Sequence, residues 1–233
     1  MKAKAQRSGV SKETVVKSLL TTLVLLVSVS SAQVALYPPN SNTAKVVLFG
    51  HSWIADMNGF APWAFPNLPS GNIAIRGHGA LTCSGLLIWL QGDIQPTTNV
   101  VFLMLATNDI VRNIDVNSHM ACVYQAIQLI LHKNPNMKIL LSNVPPWCQS
   151  TVPGYGDKRQ IIATYNAAYQ LVPQAYPQVT VVDMWTMTVQ SDGWALPNVI
   201  DGALGYHFGP NGQYEVMGII RHAVYGGVAA IAK

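Results

Sequence analysis

Ser52 stands at the end of the chain's first apolar run, Val46-Val47-Leu48-Phe49-Gly50-His51-Ser52. Asp201 and His207 lie far downstream, just before the last helical pattern. A hydroxyl is a weak nucleophile at neutral pH. It needs an imidazole to take its proton and a carboxylate to orient that imidazole. Ser52, His207 and Asp201 are therefore the candidate nucleophile, base and orienting acid of an acyl-transfer centre. Such a centre also needs donors for the oxyanion of a tetrahedral intermediate. The backbone N–H of Ser52 is one candidate. The side-chain amide of Asn108, in Ala106-Thr107-Asn108-Asp109, is a second. A glycine of Arg76-Gly77-His78-Gly79 is a third, because it lets the backbone approach closely. Of the two, Gly79 is chosen over Gly77 because the small-polar start of a helix follows it.

These positions have to be held by a scaffold. Short apolar or β-branched runs at Val46–Phe49, Ile73–Ile75, Val100–Leu105, Lys138–Ser142 and Val179–Val182 read as strands buried on both faces. Helical patterns lie between and after them, at Leu81–Leu90, Asn117–His132, Asp157–Leu171 and Gly212–Tyr225. In the second, Met120, Val123, Tyr124, Ile127, Ile130 and Leu131 share one face, and Asn134-Pro135 ends it. Strand and helix in alternation predict an α/β domain with a parallel sheet covered on both sides. Ligands then bind beyond the carboxyl ends of the strands. Ser52, Gly77–Gly79, Asn108-Asp109 and Pro145-Pro146-Trp147 each follow a strand, and Asp201 and His207 lie beyond the fifth.

Four blocks in this order resemble those of the SGNH hydrolase superfamily, which includes the GDSL-type lipases and esterases. Gly50-His51-Ser52 is similar to the first block, Arg76-Gly77-His78-Gly79 to the second, and Ala106-Thr107-Asn108-Asp109 to the third. Asp201 and His207-Phe208-Gly209-Pro210-Asn211-Gly212 are similar to the last. The resemblance implies a flavodoxin-like three-layer α/β/α sandwich with a five-stranded parallel sheet. It also implies a Ser-His-Asp triad and ester hydrolysis without cofactor or metal. On that basis the expected activity is a serine esterase acting on short-chain, carbohydrate or lipid esters. A non-catalytic ligand-binding module and an acyltransferase are the alternatives on the same fold.

The blocks depart from the family pattern at three places. His51 stands where the first block has Asp. The second block leaves two glycines to choose from. Six residues separate Asp201 from His207, where the family has three, and Leu204 occupies the usual acid position. Asp201 reaches the imidazole only if the extra residues loop back.

Half of the 233 residues are hydrophobic and a tenth are charged, which excludes a disordered chain. Residues 1–32 carry Lys2, Lys4, Arg7, Lys12 and Lys17, then an apolar run from Leu19 to Val29, then Ser30-Ser31-Ala32. This is the layout of a signal peptide, with an uncleaved anchor as the competing reading. Residues 33–43 read as a tether and 44–233 as the catalytic domain. The expected location is secreted or periplasmic. Without the leader, nine basic and nine acidic residues remain. The basic pI is thus no argument for nucleic acid, and no later run is long enough for a membrane span. Cys83, Cys122 and Cys148 allow any one disulfide or three thiols. No ligand-like spacing predicts a metal site, and His119, His132 and His222 read as surface or capping residues. Trp53, Phe60, Trp63 and Phe65 after the nucleophile, and Trp147 and Tyr155 after the fourth strand, are either core or a substrate-binding rim. Trp53 and Trp147 are the rim candidates.

Overall fold

The computed structural model describes residues 46–68, 72–149, 152–200 and 207–226. The expected leader and tether, and Asp201, lie outside the described residues. Five parallel strands form one sheet in the order β2-β1-β3-β4-β5. They are β1 (Val46–Gly50), β2 (Ile73–Gly77), β3 (Val100–Met104), β4 (Lys138–Ser142) and β5 (Val179–Val182). Every residue of β1 and β3 is buried. These two strands are unbroken apolar runs because both of their faces are covered.

The larger helices are α3 (Cys83–Asp93), α5 (Val116–Lys133), α7 (Arg159–Tyr169) and α9 (Pro210–Tyr225). Shorter ones are α1 (Ser52–Asp56), α2 (Ala61–Ala64), α4 (Thr107–Val111), α6 (Val152–Tyr155) and α8 (Val172–Ala175). The start of α5 is set by Asp115, whose carboxylate accepts from Asn117 N and Ser118 N at 3.0 Å each. Its apolar face buries Met120, Val123, Ala126, Ile127 and Ile130. Burial of each of the Met, Val and Ile side chains is worth roughly 1.5–3 kcal/mol. Among the described residues no helix is long and apolar enough to cross a membrane.

The strand order reverses at β1, since the chain steps from β1 to β2 on one side and then to β3 on the other. The crevice between the carboxyl ends of β1 and β3 is the switch point of the sheet. Both strands run directly into a short helix there, α1 after β1 and α4 after β3. The sequence pattern shows no helix at either place. Each helix is only five residues long, too short to show a period, and is held by tertiary contacts.

Cys83 and Cys122 form a disulfide that joins the start of α3 to the middle of α5. Cys148 takes no part in that bridge.

Candidate active site

The site begins where β1 turns into α1. His51 is the N-cap, and its Nδ1 accepts from Trp53 N at 3.4 Å. Its side chain is fully buried, which pushes its pKa down to about 3, with a smaller contribution from the positive charge His207 can carry. His51 is a neutral cap where the family pattern has an acid. Ser52 opens the helix, and its Oγ lies 3.3 Å from Nε2 of His207. The other ring nitrogen, Nδ1, lies 2.8 Å from Oδ2 of Asp56, the last residue of the same helix. Nothing in the sequence reading singled out Asp56. The signal was its position four residues after Ser52, which matters only once residues 52–56 are helical.

His207 arrives from the other end of the chain and is held by its neighbour. Phe208 is buried, pairs with Ile200 in an isolated antiparallel bridge, and packs its ring 4.6 Å from that of Trp53. Gly209 N donates to Val199 O at 3.1 Å just before α9 begins. Trp53 is fully buried between His51 and Phe208. This corrects its expected place on a substrate rim. It is a core residue that seats the segment carrying the imidazole. Trp147 is also buried, at 2% exposure, with Tyr155 edge-on to its ring, so it too is core and not rim. Of the aromatic residues weighed for a rim, Trp63 is the most exposed, at 48%.

Gly77, the last residue of β2, and Gly79, two residues beyond it, are separated by their surroundings. A Cβ on Gly77 would sit 2.1 Å from Ala55 N, whereas one on Gly79 would meet nothing within 4 Å. Gly77 is the packing glycine, against which α1 docks, and Gly79 faces open space. The segment after Gly79 hangs from the β3 side. Arg112 donates to Ala80 O at 2.9 Å and the Asn108 amide donates to Leu81 O at 2.8 Å. Ala80 has φ of 58°, a left-handed conformation that these two bonds help hold. Asn108 is nearly buried. Its amide has two hydrogens, so the bond to Leu81 leaves one for a ligand.

Asp109 faces inward. Its carboxylate accepts from Cys83 N at 2.7 Å, and its other oxygen lies 3.2 Å from His119 Nδ1. Nε2 of His119 lies 2.7 Å from Tyr169 Oη. Burial, with the Asp109 charge adding to it, holds the Tyr169 hydroxyl well above its usual pKa, so it stays protonated. His119 is completely buried and braces the third block. The expectation of a surface or capping role for it does not hold. His78 instead lies at the edge, 2.7 Å from Asp93 and stacked on Trp89. Among the described residues no three His, Cys, Asp or Glu side chains are grouped to hold a metal ion.

Residues 48–214 match the model of the GDSL-like lipase/acylhydrolase family. Solved structures share the fold at low identity. A GDSL-like lipase from Bacteroides thetaiotaomicron is 19% identical, with a TM-score of 0.66 over 84% of this chain and 94% of the other. A lipase/acylhydrolase from Enterococcus faecalis is 21% identical, with a TM-score of 0.62 over 78% and 96%. A carbohydrate esterase family 3 protein from Talaromyces cellulolyticus is 19% identical, with a TM-score of 0.51 over 76% and 94%. No curated protein matches the chain in sequence.

Proposed function

Since the chain belongs to the GDSL-like lipase/acylhydrolase family, within the SGNH hydrolases, we propose that it is a serine esterase with Ser52 as nucleophile and His207 as base. The observation that carries this is the 3.3 Å approach of Ser52 Oγ to His207 Nε2, between residues 155 positions apart. In the first step Nε2 takes the hydroxyl proton as Oγ bonds to the ester carbonyl carbon. The resulting oxyanion is held by the N–H groups of Ser52 and Gly79 and by the free amide hydrogen of Asn108. The tetrahedral intermediate expels the alcohol, which receives the proton from His207. Water then repeats the sequence on the acyl-enzyme and releases the acid.

The substrates are small-molecule or polysaccharide esters. Support for the carbohydrate class comes from the fold shared with the Talaromyces carbohydrate esterase, and for lipid esters from the two lipase neighbours. Export fits the basic-then-apolar start of residues 1–32, and the Cys83–Cys122 disulfide suits an oxidising compartment. The test is hydrolysis of p-nitrophenyl acetate together with labelling by a fluorophosphonate. Ser52→Ala abolishes both if the reading is right. Full hydrolysis by that variant overturns it.

A further inference from the structure

We infer that Asp56 is the positioning acid for His207, so that one turn of helix carries both the nucleophile and the carboxylate that orients its base. The inference rests on the Ser52–His207 reading and concerns the other face of the same ring.

Asp56 Oδ2 lies 2.8 Å from His207 Nδ1. A carboxylate accepts only, so the proton of the neutral imidazole resides on Nδ1, and Nδ1–H donates to Asp56. That tautomer leaves a lone pair on Nε2, the nitrogen facing Ser52. When the Ser52 proton moves to Nε2, the ring becomes a cation with its second N–H already against a negative charge. Asp56 takes up no proton in the step. It fixes the tautomer and stabilises the imidazolium.

The helix makes this arrangement specific. Residues four apart lie on one helical face, so Ser52 and Asp56 flank the same space. The helix cannot slide away from it, because Ala55 is packed directly on Gly77 at the end of β2. Met57 ends the helix immediately after Asp56. His207 is set between the two side chains by Phe208 on Trp53. In the family pattern the acid precedes the histidine by three residues, and that position is Leu204 here, which cannot accept a hydrogen bond. The hydrogen-bonded pair is partly open to solvent, with the Asp56 side chain 36% exposed. Its loss therefore has little effect on folding.

The test compares Asp56→Asn, Asp56→Glu and Asp201→Asn in the full chain, with Ser52→Ala as control. Asp56→Asn is expected to lower kcat on the order of 10²–10⁴-fold with KM little changed, because it stabilises the wrong tautomer. Asp56→Glu, which keeps the carboxylate, recovers part of that loss. Asp201→Asn lowers kcat less than Asp56→Asn does. The downfield proton resonance of His207 Nδ1–H is present in wild type and in Asp201→Asn, and absent in Asp56→Asn. Wild-type kcat and an unchanged resonance in Asp56→Asn, beside an inactive Ser52→Ala, overturn this inference alone. Loss of both signals in Asp201→Asn, with Asp56→Asn intact, does the same and assigns the role to Asp201. Full activity of Ser52→Ala overturns the esterase reading and this inference with it.

Discussion

Gly77, at the end of β2, touches the backbone of Ala55 so closely that a Cβ placed on it would lie 2.1 Å from Ala55 N and 2.5 Å from Ala55 Cα. The neighbours are main chain, so they cannot swing aside. Gly77→Ala must displace α1, and with it Ser52. Overpacking of this kind costs about 1–3 kcal/mol. Moving a nucleophile by about 1 Å costs on the order of 10²-fold in rate. Gly79→Ala meets no neighbour within 4 Å and leaves the fold intact. Thermal melts of the two variants separate them, with a lower Tm for Gly77→Ala only. Kinetics on p-nitrophenyl acetate show whether the rate falls with it.

Asp109 holds the third block from inside, between Cys83 N and His119. Asp109→Ala leaves the Cys83 N–H buried without an acceptor, which costs about 1–3 kcal/mol. Asp109→Asn keeps an oxygen for Cys83 N and is expected to be milder. Urea unfolding ranks them wild type, Asn, Ala. The same midpoint for Ala and wild type would show that the bond does not contribute.

The sheet was legible because β1 and β3 are covered on both faces and so read as unbroken apolar runs, Val46–Phe49 and Val100–Leu105. Ser52, Asn108 and His207 were legible because each sits in a block whose neighbours repeat the family pattern. Asp56 was not. Its role depends on five residues being helical, and those five are held by Gly77 and Phe208, which are remote in sequence. Trp53 and Trp147 were ambiguous for a similar reason. An aromatic residue after a strand carries the same letters whether it faces solvent or core, and both face the core. The pairing of Cys83 with Cys122 follows from the docking of α3 on α5, which no spacing encodes.

That disulfide closes a loop between residues 39 apart in sequence. On the chain-entropy account a loop of this length stabilises the fold by about 4 kcal/mol. A Cys83→Ala/Cys122→Ala variant is expected to unfold at a clearly lower urea concentration. Wild type treated with a reductant should approach the same midpoint. A reductant effect on wild type that persisted in the double variant would place the cause at another thiol, with Cys148 the candidate.

His51 makes the domain sensitive to acid at a point set by burial. Its pKa is about 3 in the fold and 6.5 when unperturbed, with desolvation the main cause and the His207 charge the lesser one. Between these values the unfolded chain binds a proton that the folded chain refuses. Stability therefore rises with pH across this window and falls as pH drops below about 6.5. At pH 5 the loss from this one group is on the order of 2 kcal/mol. His51→Asn keeps a side-chain acceptor for Trp53 N but has no group to titrate. The expected result is a smaller fall in the urea midpoint between pH 7 and pH 5 for His51→Asn than for wild type. An equal fall in both proteins would move the acid sensitivity to other groups and remove His51 from the account.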